Sequence, residues 1–120
     1  MITEDYVSFE IAKLLKEKGF NEEVLAVYIY DNLFVKGENK IVNTANVPII
    51  PAPTLQMAMK WLREKYNIIV SITPQRDKYY FTPWQLWDSE WVHTKSMLPL
   101  YNTYEEAAEA AIKYCLENLI

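Results

Sequence analysis

The chain has 120 residues, 51% of them hydrophobic and 23% charged, with a formal charge of −4. That length makes one domain, residues 1–120, able to bury a core without staples, and the composition is globular rather than disordered. No apolar run approaches the roughly 18 residues needed to span a bilayer, and each half holds 6 Lys/Arg against 8 Asp/Glu, which excludes both the clustered cations of a nucleic-acid binder and the acidic density of a DNA mimic.

The opening "MITEDYVSFE" has acids where a signal peptide has a basic patch and an apolar stretch. "VSFEIAKLLKEKGF" is the first predicted helix. Ser8 caps it, and Val7, Ile11, Leu14 and Leu15 fall on one face. Gly19 supplies the left-handed C′ position and Phe20 packs back on Leu15. "VLAVYIYDNLFV" is rich in β-branched and aromatic residues, and Asp31-Asn32 inside it predicts a tight turn, hence a hairpin. Residues 36–53 contain three prolines and read as a connecting loop, with a short edge strand at Lys40–Asn43.

Thr54 caps the second predicted helix, which runs to about Tyr66. Leu55, Ala58, Met59, Leu62 and Tyr66 make its core stripe. "NIIVSIT" is a strand closed by Pro74, "QRD" a turn, and "KYYFT" the returning strand, with Pro83 interrupting the pairing. Residues 84–102 fit a strand, a short helix or a long loop. The last helix opens on a capping box of Thr103 and Glu106, with Tyr104, Ala107, Ala108, Ala111, Cys115 and Leu119 as its stripe. The order helix, hairpin, helix, hairpin, helix predicts a two-layer α+β fold, with an antiparallel sheet of about four strands and three helices.

Chemistry is sparse. Two glycines cannot build a phosphate-cradling loop or a dinucleotide fingerprint, and one histidine with one cysteine cannot hold zinc. No cofactor, metal site or membrane segment is therefore expected. His93 is the one imidazole available as a general base, with Asp88 or Glu90 to orient it; the alternative is a surface histidine in an aromatic loop. Cys115 is either a reactive thiol or a small inert hydrophobe on a buried face. A single cysteine suits a reducing compartment, so cytoplasm is the expected location.

Met57 and Trp61 form a second apolar stripe on the middle helix, four residues apart and well round from Leu55. Either the segment at residues 84–91 folds over them, or they stand exposed for a protein partner or a second copy. Trp84, Trp87 and Trp91 are the remaining binding candidates. The balance of these residues points to a binding or protein-interaction module, with a homodimer among its assemblies, and the alternative is a small enzyme built on His93.

"VSFEIAKLLKEKGF", "APTLQMAMKWLRE" and "TYEEAAEAAIKYCLENLI" together resemble a set of short uncharacterised proteins of gut Bacteroidetes, found among phage-like and other mobile genes. The resemblance covers both ends and the central helix. It implies an intracellular accessory protein of a bacterium or its phage, and it brings no activity, cofactor or site residue. In that family the position of Ala108 is often cysteine; with alanine there, Cys115 has no second thiol.

Overall fold

A computed structural model of the chain describes residues 2–36, 48–93, 95 and 97–120. In chain order these form α1 (Phe9–Glu17), β1 (Ala26–Ile29), β2 (Asn32–Val35), β3 (Ile49–Pro51), α2 (Leu55–Tyr66), β4 (Ile68–Gln75), β5 (Lys78–Trp87), β6 (Glu90–Val92) and α3 (Tyr104–Asn118). The chain divides into two compact units, Met1–Thr54 and Leu55–Ile120. The α+β class, the three helices and the antiparallel pairing agree with the sequence. The strands differ: the described residues hold six, in two sheets of three ordered β2-β1-β3 and β4-β5-β6, where one sheet of about four is expected. No helix among them is long and apolar enough to cross a membrane.

In the first unit, local chemistry sets the limits of α1. The Ser8 hydroxyl accepts from the Ile11 amide at 3.3 Å. At the other end Gly19 has φ +95°, its N–H donates to Lys16 O at 3.1 Å, and the Phe20 N–H donates to Leu15 O at 2.9 Å. These two bonds are the Schellman pair, and they absorb carbonyls that the helix itself leaves unpaired.

The β1–β2 turn lies one residue earlier than the sequence suggests. Ile29 pairs with Asn32, so the loop is Tyr30-Asp31, and Tyr30 takes φ +56°. Asn32 is drawn into the strand because pairing continues to Ala26↔Val35. β3 joins the other edge of β1, Val27 facing Pro51. Ala52 N donates to Ala26 O at 2.9 Å, so the missing N–H of Pro51 faces away from β1 and costs the ladder nothing. The strand expected at Lys40–Asn43 lies outside the described residues. Tyr28 anchors the unit: its hydroxyl donates to Val7 O at 2.8 Å, and its ring meets Phe9 edge-on at 5.4 Å.

In the second unit β4 and β5 pair without a break from Ile68↔Gln85 to Gln75↔Lys78. Pro74 therefore does not close the first strand, and Pro83 does not interrupt the second. The hydrogen-bond phase explains both. Leu86 N donates to Asn67 O, whereas Tyr79 N donates to Tyr101 O, so even-numbered residues of β5 bond to β4 and odd-numbered ones face away. Pro83 is odd, so its missing N–H lies on the edge away from β4, and among the described residues β6 pairs only with Gln85–Trp87. Pro74 sits opposite Tyr79 and likewise faces outward.

The same strand runs on into the segment the sequence leaves open. β5 continues to Trp87, and a two-residue turn at Asp88-Ser89, with φ +48° and +67°, returns it as β6. Two left-handed residues make the primed turn that matches strand twist. Asp-Ser lacks the glycine that ordinarily advertises it. Beyond β6 the chain reaches a cis Leu98–Pro99 bond and then Tyr101, which bridges to Tyr79.

α2 and α3 cover one face of this sheet. Phe81 meets Tyr114 of α3 at 5.8 Å and Tyr79 meets Tyr104 at 6.4 Å, which assigns the odd residues of β5 to the helix side. Ala107, Ala108 and Ala111 are fully buried, as are Ile112, Cys115 and Leu116. Three alanines on one stripe let α3 approach the sheet closely. Thr103 Oγ1 accepts from Glu106 N at 3.0 Å, as the capping chemistry requires.

Candidate binding face on the second sheet

Strand alternation decides what the second sheet presents on the face turned away from α2 and α3. With Tyr79, Phe81 and Pro83 turned to the helices, Tyr80, Thr82, Trp84 and Leu86 of β5 point the other way. Residues opposite one another in an antiparallel pair share a face. β4 therefore contributes Ile69, Ser71 and Thr73, which pair with Trp84, Thr82 and Tyr80, and β6 contributes Trp91, which pairs with Leu86.

His93 follows β6 on this side. Its ring stands edge-on to that of Trp84, with centroids 4.4 Å apart and an interplanar angle of 73°. A cleft of about 460 Å³ opens here, lined by Trp84 and His93 together with the hydroxyl-bearing residues Ser71, Thr73, Tyr80 and Thr82. Trp84 Nε1 donates to Ser71 Oγ at 3.0 Å, which fixes the indole across the strands. Lys95 and Met97 complete the lining. The Lys95 ammonium is committed elsewhere, donating to Leu98 O at 2.7 Å and lying over the rings of Phe81 and Tyr114. No carboxylate lines the cleft among the described residues.

Next to the cleft the face turns apolar. Leu86 and Trp91 oppose one another and are 44% and 43% exposed. One surface thus grades from hydroxyls, through the Trp84–His93 pair, to an exposed aliphatic–indole pair. Such a face can take hydrogen bonds at one end and anchor an apolar side chain at the other.

The candidate residues read from the sequence scatter over this geometry. His93, Trp84 and Trp91 come together. Trp87 pairs with Glu90 on the opposite face and is 74% exposed. Glu90 therefore points away from His93, and Asp88 occupies the turn beyond both. The histidine meets an indole, and no described residue lining the cleft is the carboxylate that a general base needs for orientation.

The Met57–Trp61 stripe splits. Met57 is 39% exposed, whereas Trp61 is 6% exposed with its ring edge-on to Tyr66 at 5.3 Å. Cys115 is buried, and burial pushes its thiol up from 9.0 to about 12. A neutral, covered thiol is a core atom rather than a nucleophile.

Sequence reasoning missed Ser71, Thr73, Tyr80, Thr82, Ile69 and Leu86 as a group. Their signal was present as strand alternation on both sides of "PQRDK". It becomes readable only when Pro74 and Pro83 are accepted as strand residues. No family model, curated protein or solved structure matches the chain.

Proposed function

We propose that the protein is a non-enzymatic interaction module that binds a segment of a partner protein across the open face of β4-β5-β6. The observation that carries this reading is the exposed Leu86–Trp91 pair beside the Trp84–His93 pair, on one face. Rigid aromatic rings next to an exposed aliphatic side chain are the composition of an interaction hot spot, and an apolar patch of this kind on a surface ordinarily marks a binding site. The neighbouring hydroxyls both donate and accept, which suits a peptide backbone laid over them.

Acid–base use of His93 is disfavoured, since Glu90 lies on the other face and no described lining residue is acidic. The even spread of charge argues against nucleic acid as the partner. A reducing cytoplasm suits the one buried thiol, and a role as an accessory protein of a mobile element accords with the family resemblance.

The test is selection from a random peptide library followed by mapping of a selected peptide by NMR. Shifts should concentrate at the indoles of Trp84 and Trp91 and at the His93 ring. Trp91→Ala should abolish binding without unfolding the protein. Peptides that bind equally well to Trp91→Ala, or whose shifts fall on Met57 and α2, would sink the proposal.

A further inference from the structure

The outer edge of β4 is built for strand pairing, and we infer that it pairs with the same edge of a second copy, joining two three-stranded sheets into one of six. β4 has a single neighbour, β5, among the described residues. Because Asn67 O accepts from Leu86 N across the ladder, odd-numbered residues of β4 bond to β5. Val70 and Ile72 therefore direct both N–H and C=O outward. Pro74 also faces outward and ends the run of donors, and Ile68 is buried, so the usable edge is Ile69–Thr73.

Natural edge strands are guarded by charges, bulges, covering segments or short length. β4 has eight residues in regular register with β5, and nothing ionisable lies between Tyr66 and Arg76. Pro74 guards only its end. An uncharged, regular, β-branched edge of this length is an open template.

Self-complementarity selects the occupant. A two-fold axis at Ser71 sets Val70 opposite the partner's Ile72, and Ile72 opposite the partner's Val70. Both are outward-facing, so each pair exchanges two N–H···O bonds. On the open face Ser71 then meets its own copy and Ile69 meets Thr73, pairs that suit a sheet. Charge does not oppose the approach: residues 55–120 hold eight acidic and seven basic side chains, a net of −1. This pairing uses backbone groups at the edge, so it stands or falls separately from peptide binding on the open face.

Residue-resolved amide exchange, followed over a roughly hundredfold range of protein concentration alongside sedimentation, tests it. Ile69, Ser71 and Thr73 should be protected at every concentration through their bonds to β5. Val70 and Ile72 should exchange freely when dilute and gain protection in step with dimer formation. Ile72→Pro should leave the β5 ladder intact, because the lost N–H faces outward, and should weaken dimerisation roughly tenfold or more by deleting two of four bonds. A monomer at all concentrations overturns the inference. So does a dimer in which Val70 and Ile72 stay unprotected, or protection of both that ignores concentration. The exchange pattern decides the matter alone if Ile72→Pro fails to fold.

Discussion

The indole of Trp84 donates to the hydroxyl of Ser71 at 3.0 Å although the two are not opposite one another: Ser71 faces Thr82, and Trp84 faces Ile69. The bond runs diagonally across β4 and β5 and leans the indole along the sheet. In that pose Trp84 meets the His93 ring edge-on. A serine on an edge strand thus sets the orientation of the aromatic centre of the candidate face.

Ser71→Ala should accordingly cost about 1 kcal/mol, the net worth of an ordinary hydrogen bond in a part-buried site. The Trp84 indole N–H should exchange faster with solvent, and peptide binding should weaken through loss of orientation. Denaturant titration and the indole proton resonance check both. An unchanged indole exchange rate would show that the hydroxyl does not hold the ring.

His93→Ala should be mild. The ring is exposed, and what it forfeits is one edge-to-face contact, for which about 0.5 kcal/mol is a fair expectation. The fold, followed by circular dichroism, should persist. A loss several times larger would mean that His93 supports the sheet rather than the surface.

Trp61→Ala and Met57→Ala should separate sharply. Trp61 is buried and stacked edge-on with Tyr66, so its truncation should cost roughly 3 kcal/mol or more. Met57, at 39% exposed, should cost at most about 1 kcal/mol. Paired denaturation curves decide it, and equal losses would contradict the burial pattern.

Cys115 carries a pH prediction. Its thiol sits near 9.0 when solvated and is pushed up to about 12 by burial in the fold. Below 9 both folded and unfolded chains hold the proton, and the full contribution of the buried neutral thiol is present. Between 9 and about 12 the unfolded chain loses the proton first, so that contribution falls as pH rises. The stability gap between the native protein and Cys115→Ala should therefore narrow over that window. At neutral pH, alkylation should proceed only as fast as the protein opens.

Much of this molecule was legible one element at a time. Ser8, Thr103, Gly19 and Phe20 mark helix ends because capping is settled within four or five residues of chain. Leu55, Ala58, Met59 and Leu62 declare a buried face by spacing alone, and the α+β class follows from which segments carry which period. The same local reading also supplied His93, Trp84 and Trp91, but as three neighbours in sequence, with Trp87, Asp88 and Glu90 indistinguishable from them.

Only the tertiary structure sorted those neighbours. Whether Pro83 ends a strand depends on which edge its missing N–H faces, and that is set by the hydrogen-bond phase of β5 against β4. Whether Glu90 can orient His93 depends on a turn at Asp88-Ser89 whose left-handed backbone no glycine announces. Trp61 is buried and Met57 is not, although both lie on one stripe of α2. Capping and periodicity are properties of a short piece of backbone. Strand phase, face and burial are properties of the partners that pack against it, and those partners lie far away in sequence.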